Sequence, residues 1–384
     1  MPSFSKRGDI AAFLAMDVMA KAKEKSREGE AICHMEVGQP GTPAPDKVRR
    51  RAKQALDEEI IGYTEALGLP SLRARIAVHY KDEYGVTIKP EQVVITTGSS
   101  AGFVLAFLAT LDAGDKVAVP RPGYPCYREI LKSLDVQPHF LPLGFDNNWQ
   151  PEISQIEEAI KKNKIKALLL ASPSNPTGVV MEDALVRDIA NLAKANNVWF
   201  IMDEIYHGLV YDQEVMTLAG FNEATIVLNS FSKYYSMTGW RIGWMVVPPN
   251  LVRTIEKLSQ NLFISPPCLS QIAAIAAFEA KDELEEIKAG YRANREILQN
   301  GLLEVGIKRM APAEGAFYIY ADMSDFTDDS LAFSQNLLQT HGIAACPGLD
   351  FDEVNGRYMM RFSYAGSEAE IVEAVKRLKE KPLS

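Results

Sequence analysis

A lysine among small and aromatic residues is the part of the sequence best suited to covalent chemistry. Residues 230–236 read SFSKYYS, and Arg241 follows Lys233 in the same segment. Most lysines are solvated surface charges. A second cation nearby disfavours the charged form of a lysine, which lowers the pKa of its amine and favours nucleophilic attack. The segment therefore predicts Lys233 as a reactive amine.

Two further polar motifs each follow an apolar run. Asn175 lies between two prolines after the run 167–171, and a rigid backbone of this kind suits a positioning hydrogen-bond donor. Asp203 directly follows the run 198–202, where we expect partial burial and a need for a cationic partner. Tyr206 shares a face with Asp203 if the chain coils there. Ordinary turn chemistry accounts equally well for Asn175, and helix N-capping for Asp203.

A glycine- and serine-rich motif follows another apolar run. Residues 97–102 read TGSSAG and begin a stretch with helical spacing. Backbone N–H groups and hydroxyls at the start of a helix bind anions, and the helix dipole favours negative charge there. A phosphate site is one interpretation, and an ordinary glycine turn with a serine N-cap is the other.

The elements that must position these motifs alternate along the chain. Apolar runs of strand length lie at 93–97, 116–119, 167–171, 198–202, 225–228 and 242–247. Stretches of helical periodicity separate most of them, which predicts a mainly parallel sheet covered by helices. Ligands of such sheets bind beyond the carboxyl ends of the strands, where all four motifs lie. Later runs at 316–320 and 358–363 predict a smaller α+β unit.

Composition and charge exclude several classes of protein. The 384 residues include 41 Lys plus Arg and 50 Asp plus Glu, a net charge of −9, which argues against a nucleic-acid or anionic-membrane surface. With 47% hydrophobic residues the chain is globular. No apolar run reaches the roughly 18–20 residues of a membrane helix, and the N-terminus lacks a signal-peptide pattern. Four widely spaced cysteines predict reduced thiols without a metal site. We expect a cytoplasmic protein.

The order of the four motifs resembles the class I/II aminotransferases of fold type I, the aspartate aminotransferase-like superfamily, which use pyridoxal 5′-phosphate (PLP). The resemblance extends from VGQP at 37–40 through GYT at 62–64 to RFSYA at 361–365, and it is most specific at 230–243. It implies an α/β fold with a large PLP-binding domain, residues 46–285, around a mostly parallel sheet. Residues 1–45 and 286–384 would form a small α+β domain.

The resemblance also implies roles around the cofactor ring. Lys233 would hold PLP as an internal aldimine and then move the proton between the substrate Cα and the cofactor. Asp203 would pair with the pyridine nitrogen and keep it protonated. Tyr206 and Asn175 would hydrogen-bond the phenolate oxygen, and Tyr124 would stack on the ring face.

The same resemblance implies which residues bind the phosphate and the substrate. The phosphate would be bound by Ser99, Ser100, the Ala101 amide, Ser230, Ser232 and Arg241. Tyr63 matches a family tyrosine that reaches the phosphate from the partner subunit, which implies a homodimer with shared active sites. Arg361 would bind the substrate α-carboxylate through its planar fork, with Asn175 and Gly38 beside it.

These implications predict an aminotransferase that exchanges an amino group between an L-amino acid and a 2-oxo acid. A C–S lyase or an aminocyclopropane synthase uses the same carbanion chemistry, so Lys233 and Asp203 do not discriminate among them. A PLP-binding transcription factor would carry a basic helix-turn-helix segment ahead of the domain, and the residues before 46 show none.

The identity of the substrate stays open in the sequence. An aspartate-type subgroup of the family has Gly-Ser-Lys-Gln where this chain has GSSA at 98–101, and its lysine is associated with a side-chain carboxylate. Ser100 at that position weakens an aspartate assignment. Ile10, Phe13 and Leu14 either line the substrate pocket or simply pack in the core.

Overall fold

Alternating helices and strands make up most of the chain in the computed structural model, which describes residues 3–381 and residue 383. The strands in this part of the chain are β1 (Cys33–Met35), β2 (Val93–Thr96), β3 (Lys116–Arg121), β4 (Gln137–Pro142), β5 (Ala167–Ala171), β6 (Trp199–Asp203), β7 (Thr225–Ser230), β8 (Gly243–Val246), β9 (Tyr318–Asp322), β10 (Ile343–Pro347) and β11 (Met359–Ser363). The α-helices are α1 (Leu14–Arg27), α2 (Asp46–Glu58), α3 (Pro70–Tyr84), α4 (Gly98–Thr110), α5 (Pro125–Ser133), α6 (Ile153–Lys161), α7 (Asp183–Ala195), α8 (Pro249–Leu262), α9 (Cys268–Ala277), α10 (Lys281–Glu304), α11 (Ser330–His341) and α12 (Glu368–Glu380).

A seven-stranded sheet has the order β2-β8-β7-β6-β5-β3-β4. β3 to β7 run parallel to one another, whereas β8 is antiparallel to both of its neighbours. The expectation of a mainly parallel sheet is therefore confirmed. In register, Ala171 of β5 pairs with Asp203 of β6, and Asp203 pairs with Leu228 of β7. The segments that follow these three strands thus leave the sheet at the same edge.

A second sheet of four strands has the order β1-β10-β11-β9. β1 is parallel to β10, and the other two pairs are antiparallel. Cys346 of β10 lies opposite Arg361 of β11. Arg361 is the middle residue of its strand.

Apolar side chains cover both faces of the large sheet. Leu168 and Leu170 of β5 contribute to one core, and Ala167 and Leu169 contribute to the other, because successive strand side chains point to opposite faces. Both cores are sealed by helices, with α7 on the first face and α4 on the second. No helix in the described part of the chain is long and apolar enough to cross a bilayer.

Local capping signals define the ends of α11. The Asp329 carboxylate accepts hydrogen bonds from the backbone N–H groups of Leu331 and Ala332, each at 3.1 Å, and Gly342 ends the helix in the left-handed conformation at φ 63°. An aspartate before the helix and a glycine after it are the end signals that helices prefer.

All the strand runs expected from the sequence are present, but β1, β4 and β10 were not predicted. β4 contains two prolines, which the sheet tolerates because β4 is an edge strand. The strands of the large sheet lie within 46–285 and those of the small sheet lie outside that range. The boundary at 285 falls inside α10, and the two-domain division stays a prediction. Residues 1, 2, 382 and 384 of the predicted small domain lie outside the described residues.

A buried hydrogen bond between α3 and β8 provides a test of how the large sheet is stabilised. Trp244 Nε1 donates to Tyr80 Oη at 3.0 Å, and both side chains are buried. Replacing Tyr80 by Phe leaves the indole N–H without an acceptor, so the free energy of unfolding should fall by about 1–3 kcal/mol in urea titrations.

Tyr320→Phe is the matched control for Tyr80→Phe. The Tyr320 hydroxyl is also buried, but it has no hydrogen-bond partner within residues 3–381 and 383. Its removal should leave stability nearly unchanged. Equal losses for the two variants would show that the Trp244–Tyr80 bond is not stabilising.

Candidate active site

The segments that follow β5, β6 and β7 meet the small sheet at a cavity of about 330 Å³. Its walls contain many of the residues that the sequence singled out. Those that line it are Gly38, Ser99, Ser100, Tyr124, Asn175, Asp203, Tyr206, Ser232, Lys233, Arg241 and Arg361. Residues from both sheets and from six separate connecting segments therefore converge on one place.

Three of the predicted residues do not line this cavity. Ala101 is buried in the first turn of α4. Ser230 lies behind Ser232: its hydroxyl accepts the Ser232 N–H at 3.1 Å and donates to the Ile242 carbonyl at 3.1 Å. Tyr63 is 88% exposed on the outer surface of this chain.

Lys233 lies in the turn after β7. Its Nζ donates to the Gly38 carbonyl at 2.6 Å and lies 5.8 Å from the centres of the Tyr206 and Phe317 rings. Burial, together with the nearby Arg361 and Arg241 guanidiniums, lowers the pKa of the Lys233 amine to about 8, and the charge of Asp203 opposes this shift. A neutral amine is therefore accessible near physiological pH.

Asp203 is the last residue of β6 and is only 3% exposed. The expectation of partial burial is wrong, because β6 lies inside the sheet and its end is covered by other segments. The carboxylate accepts hydrogen bonds from Tyr127 Oη at 2.5 Å and from the Ile205 N–H at 3.1 Å. Burial raises the pKa of Asp203 to about 6, while these two hydrogen bonds and the charge of Lys233 oppose the rise.

Tyr206 and Tyr318 form a buried pair at the other wall. Their hydroxyl oxygens are 2.7 Å apart, so the Tyr206 hydroxyl meets Tyr318 and not Asp203. Gly38 packs directly against Tyr318, and a Cβ at position 38 would overlap the Tyr318 hydroxyl. A glycine is required there for this close approach.

Arg361 is 2% exposed and reaches the cavity from β11. Its Nη1 donates to Asn175 Oδ1 at 2.9 Å and its Nη2 donates to the Glu36 carbonyl at 2.6 Å. Its Nε is buried and has no hydrogen-bond partner in the described residues. A buried guanidinium that is only partly satisfied can bind a carboxylate.

One end of the cavity is suited to an anion. Ser99 and Ser100 begin α4 there, beside Ser232 and Arg241. Gly98 has φ 72°, and a Cβ on it would overlap the Arg241 guanidinium. The helix start, the hydroxyls and the guanidinium form a donor set that binds phosphate groups.

The charged residues that line the cavity are four cations and one acid, Lys23, Lys233, Arg241, Arg361 and Asp203. This local excess of positive charge contrasts with the net charge of −9 for the chain. Much of the remaining wall is apolar and includes Phe13, the N-cap residue of α1, and Met16 and Met19 of that helix. Phe13 therefore lines the pocket, one of the two outcomes that the sequence left open, whereas Ile10 and Leu14 do not line it.

Sequence reasoning missed Tyr127 and Tyr318. Tyr127 lies three residues after Tyr124 at the start of α5, and this spacing puts both rings on one face of the helix, so it was detectable in principle. Tyr318 reaches the cavity only because the small sheet packs there, and no local signal in the sequence indicates that.

Known proteins are similar to this chain over nearly its whole length. The family model for class I and II aminotransferases matches residues 31–378. The chain belongs to this family. A Mycobacterium tuberculosis protein named valine–pyruvate aminotransferase is 46% identical over 376 residues, which cover 97% of this chain and 96% of that protein.

Solved structures show the same fold for this aminotransferase. A crystal structure of an aminotransferase from Mycobacterium tuberculosis has a TM-score of 0.96 at 44% identity and covers 99% of both chains. Aspartate aminotransferase from Thermus thermophilus with maleate has a TM-score of 0.93 at 30% identity and covers 99% of this chain and 100% of that one. The predicted α/β fold type I is confirmed.

Family membership decides the class of activity and the cofactor. The protein is a transaminase that transfers an amino group between an amino acid and a 2-oxo acid, so the aminotransferase prediction is confirmed over the lyase and regulator alternatives. Class I and II aminotransferases depend on PLP, and PLP is its cofactor. The donor set fits PLP, because one cavity combines an anion-binding helix start, a buried carboxylate and a lysine of lowered pKa.

The lowered pKa of Lys233 predicts a measurable pH dependence in the enzyme stripped of PLP. Only the neutral amine reacts with an acylating reagent, so competitive labelling of Lys233, followed by mass spectrometry, should rise with a midpoint near pH 8 and not near the ordinary 10.5. Arg361→Met should raise this midpoint, because a nearby positive charge that favours deprotonation is removed.

Arg253→Met is the control for Arg361→Met, since Arg253 is an exposed guanidinium on α8. It should leave the Lys233 midpoint where it is. A wild-type midpoint near 10.5, or the same shift in both variants, would contradict the effect of burial and of Arg361 on Lys233.

Proposed function

We propose that this aminotransferase prefers apolar L-amino acids as amino donors, with valine as the representative substrate. The observation that carries the proposal is the apolar wall that Phe13, Met16 and Met19 present to the cavity. Burying an unpaired carboxylate against such a wall is costly, whereas an aliphatic side chain gains free energy from leaving water. The name of the valine–pyruvate relative supports the same substrate class.

We propose that Lys233 is the catalytic base. When bound, PLP supplies an aldehyde carbon that accepts the amino group and a ring that withdraws electrons from the substrate Cα. Lys233 Nζ would take the Cα proton, and its pKa of about 8 makes the neutral amine available for that step. The Gly38 carbonyl, which accepts from Nζ at 2.6 Å, would orient the amine.

Four side chains would hold the cofactor ring. Asp203 would keep a proton on the pyridine nitrogen, and Tyr127 would hold the Asp203 carboxylate in place through its hydroxyl. Tyr206 and Asn175 would donate to the phenolate oxygen, and Tyr124 would pack on the ring face. Support comes from their presence on the walls of one cavity.

The phosphate and the substrate carboxylate would occupy separate cationic ends. Ser99, Ser100, Ser232 and Arg241 would bind the phosphate together with the Ala101 amide at the start of α4, while Ser230 would act by positioning Ser232. Arg361 would bind the α-carboxylate of the substrate. Its hydrogen bond to Asn175 would hold the guanidinium plane in the orientation needed for two parallel bonds.

A homodimer is supported by an exposed apolar surface. Leu56, Ile60 and Ile61 are 61%, 95% and 41% exposed, and Leu262 and Ile264 are 50% and 53% exposed. The two segments are joined by a hydrogen bond from the Thr64 N–H to Ser265, so they form one surface. Clusters of exposed apolar residues mark protein interfaces. Tyr63 lies in this surface and could therefore reach the active site of a second copy.

A cytoplasmic location is supported by the state of the thiols. Cys33, Cys126, Cys268 and Cys346 are all free. Unpaired cysteines of this number are typical of proteins kept in a reducing compartment.

The preference for apolar donors can be tested by screening amino acids against the PLP-loaded enzyme with pyruvate as acceptor and measuring the alanine formed. Valine should exceed aspartate and glutamate in kcat/KM by about tenfold or more, because the apolar wall gives a carboxylate side chain no partner. Lys233→Ala should form no product with any donor. A preference for the acidic donors would overturn the proposal.

Lys23 supports one alternative, a preference for dicarboxylic substrates. It is exposed at the cavity mouth and is the remaining cation there after Lys233, Arg241 and Arg361. The Thermus thermophilus relative with maleate is an aspartate aminotransferase. If Lys23 binds a side-chain carboxylate, Lys23→Met should reduce activity with glutamate and aspartate while leaving valine unaffected. If wild type and Lys23→Met have equal activity with glutamate and aspartate, Lys23 does not bind a side-chain carboxylate.

Shared active sites can be tested by mixing two defective subunits. Tyr63→Ala should weaken PLP binding, and Lys233→Ala should abolish activity. In a hybrid dimer, the Tyr63→Ala subunit keeps Lys233 and receives Tyr63 of the partner subunit, so one intact site forms and activity returns. Sedimentation should show a dimer for both variants. If no activity returns in co-expressed hybrids, Tyr63 does not act across the interface.

A further inference from the structure

Helix α1 supplies a wall of the active-site cavity although it lies far from the other site motifs in sequence. Phe13, Met16, Met19 and Lys23 line the cavity, and their spacing places them on one face of the helix. The Phe13 ring packs edge-on against Tyr124, with centroids 5.9 Å apart. The position of this helix therefore determines the space left for a substrate side chain.

The middle and the first turn of α1 are held in different ways. In the middle of the helix, Val18 and Ala22 pack against Leu338 of α11 and Ala344 of β10. The first turn packs through Ala15 and Phe13 into a different cluster that includes Tyr320 and Phe351, and its N-cap residue Phe13 makes no side-chain capping hydrogen bond. The first backbone N–H groups of a helix require acceptors from elsewhere.

Those acceptors come from Asp350, more than 300 residues away in the sequence. The Leu14 N–H donates to Asp350 Oδ1 at 3.0 Å and the Ala15 N–H donates to Asp350 Oδ2 at 3.1 Å. A carboxylate that accepts two N–H groups at a helix start also interacts favourably with the helix dipole. One side chain thus serves as the missing cap of α1.

Asp350 is itself rigidly held. It is 1% exposed, and its backbone carbonyl accepts a hydrogen bond from Arg128 Nη2 at 2.9 Å. The Cys346 thiol lies 3.5 Å from Asp350 Oδ2, and Cys346 is the strand partner of Arg361. The cap of α1 and the arginine proposed to bind the substrate carboxylate are therefore attached to one pair of strands.

We propose that Asp350 is a positioning residue for substrate specificity, which fastens the first turn of α1 so that Phe13 and Met16 form the wall for an apolar substrate side chain. The proposal rests on the function proposed above. Asp350 does not line the cavity, so it acts through α1 and not by touching the substrate. Loss of the cap leaves the Leu14 and Ala15 N–H groups without acceptors and loosens the first turn, while Val18 and Ala22 keep the rest of the helix in place.

The experiment compares Asp350→Ala with wild type in the PLP-loaded enzyme, using valine and alanine as donors and a common 2-oxo acid other than pyruvate. For valine, kcat/KM should fall by about tenfold or more, the scale expected when one or two methyl groups lose an apolar pocket. For alanine the change should be small, because a single methyl group does not reach the α1 wall. Hydrogen–deuterium exchange should accelerate at 14–17 more than at 18–24.

Asp329→Ala is the matched control. Asp329 caps α11 with two hydrogen bonds from backbone N–H groups, and it does not line the cavity. Its loss should change neither the valine-to-alanine ratio nor exchange in α1. Asp350→Asn retains an acceptor for one N–H group and should lie between wild type and Asp350→Ala, and it carries the test if Asp350→Ala does not fold.

Equal losses for valine and alanine, or unchanged exchange at 14–17, would overturn the role of Asp350. Faster exchange with an unchanged valine-to-alanine ratio would also overturn it, because α1 would then not be the specificity wall. If wild type uses no apolar donor, the proposed substrate class fails, and the exchange measurement by itself decides whether Asp350 fastens α1.

Discussion

The active site depends on holding one carboxylate and several cations close together in a small cavity. The surrounding protein excludes most of the water from this cavity. Among the described residues, Asp203 is the single acid on the cavity wall; Lys233 and Arg241 reach it from the segment after β7, and Arg361 reaches it from β11. Burial, together with the crowding of these cations, lowers the pKa of Lys233, whose amine loses its proton far more easily than the two guanidiniums. The same crowding attracts anions, so the charge that makes Lys233 reactive also favours binding of a phosphate and a carboxylate.

The parallel strands make this arrangement possible. Because Ala171, Asp203 and Leu228 lie side by side in register, the segments after β5, β6 and β7 start from one edge and need only short turns to meet. The small sheet then closes the cavity with Tyr318 and Arg361. A side chain at position 38 would overlap Tyr318, and one at position 98 would overlap Arg241. The two glycines therefore allow these side chains to lie close to the backbone around the cavity.

Several polar atoms near the site stay unsatisfied within the described part of the chain. Arg361 Nε and Glu36 Oε2 are both buried without hydrogen-bond partners. Such atoms cost about 1–3 kcal/mol each in a folded protein, and they are retained where a ligand or a moving segment satisfies them. Arg361 Nε belongs to the guanidinium that we propose binds the substrate carboxylate, so stability is lower at the position where binding energy is needed.

The sequence by itself determined the family, the main strands and the chemistry of most of the site, because Asn175, Asp203 and Lys233 lie in short motifs whose residue types and order are visible along the chain. β4 was not predicted because it contains prolines, which only an edge strand tolerates. β10 was not predicted because its small residues form no pattern typical of a strand. Only the tertiary structure decided that Asp203 is fully buried beside Tyr127 and that Asp350 caps α1. Those contacts join residues far apart in sequence, and burial and long-range pairing depend on how the sheets and helices pack, a property that no local segment contains.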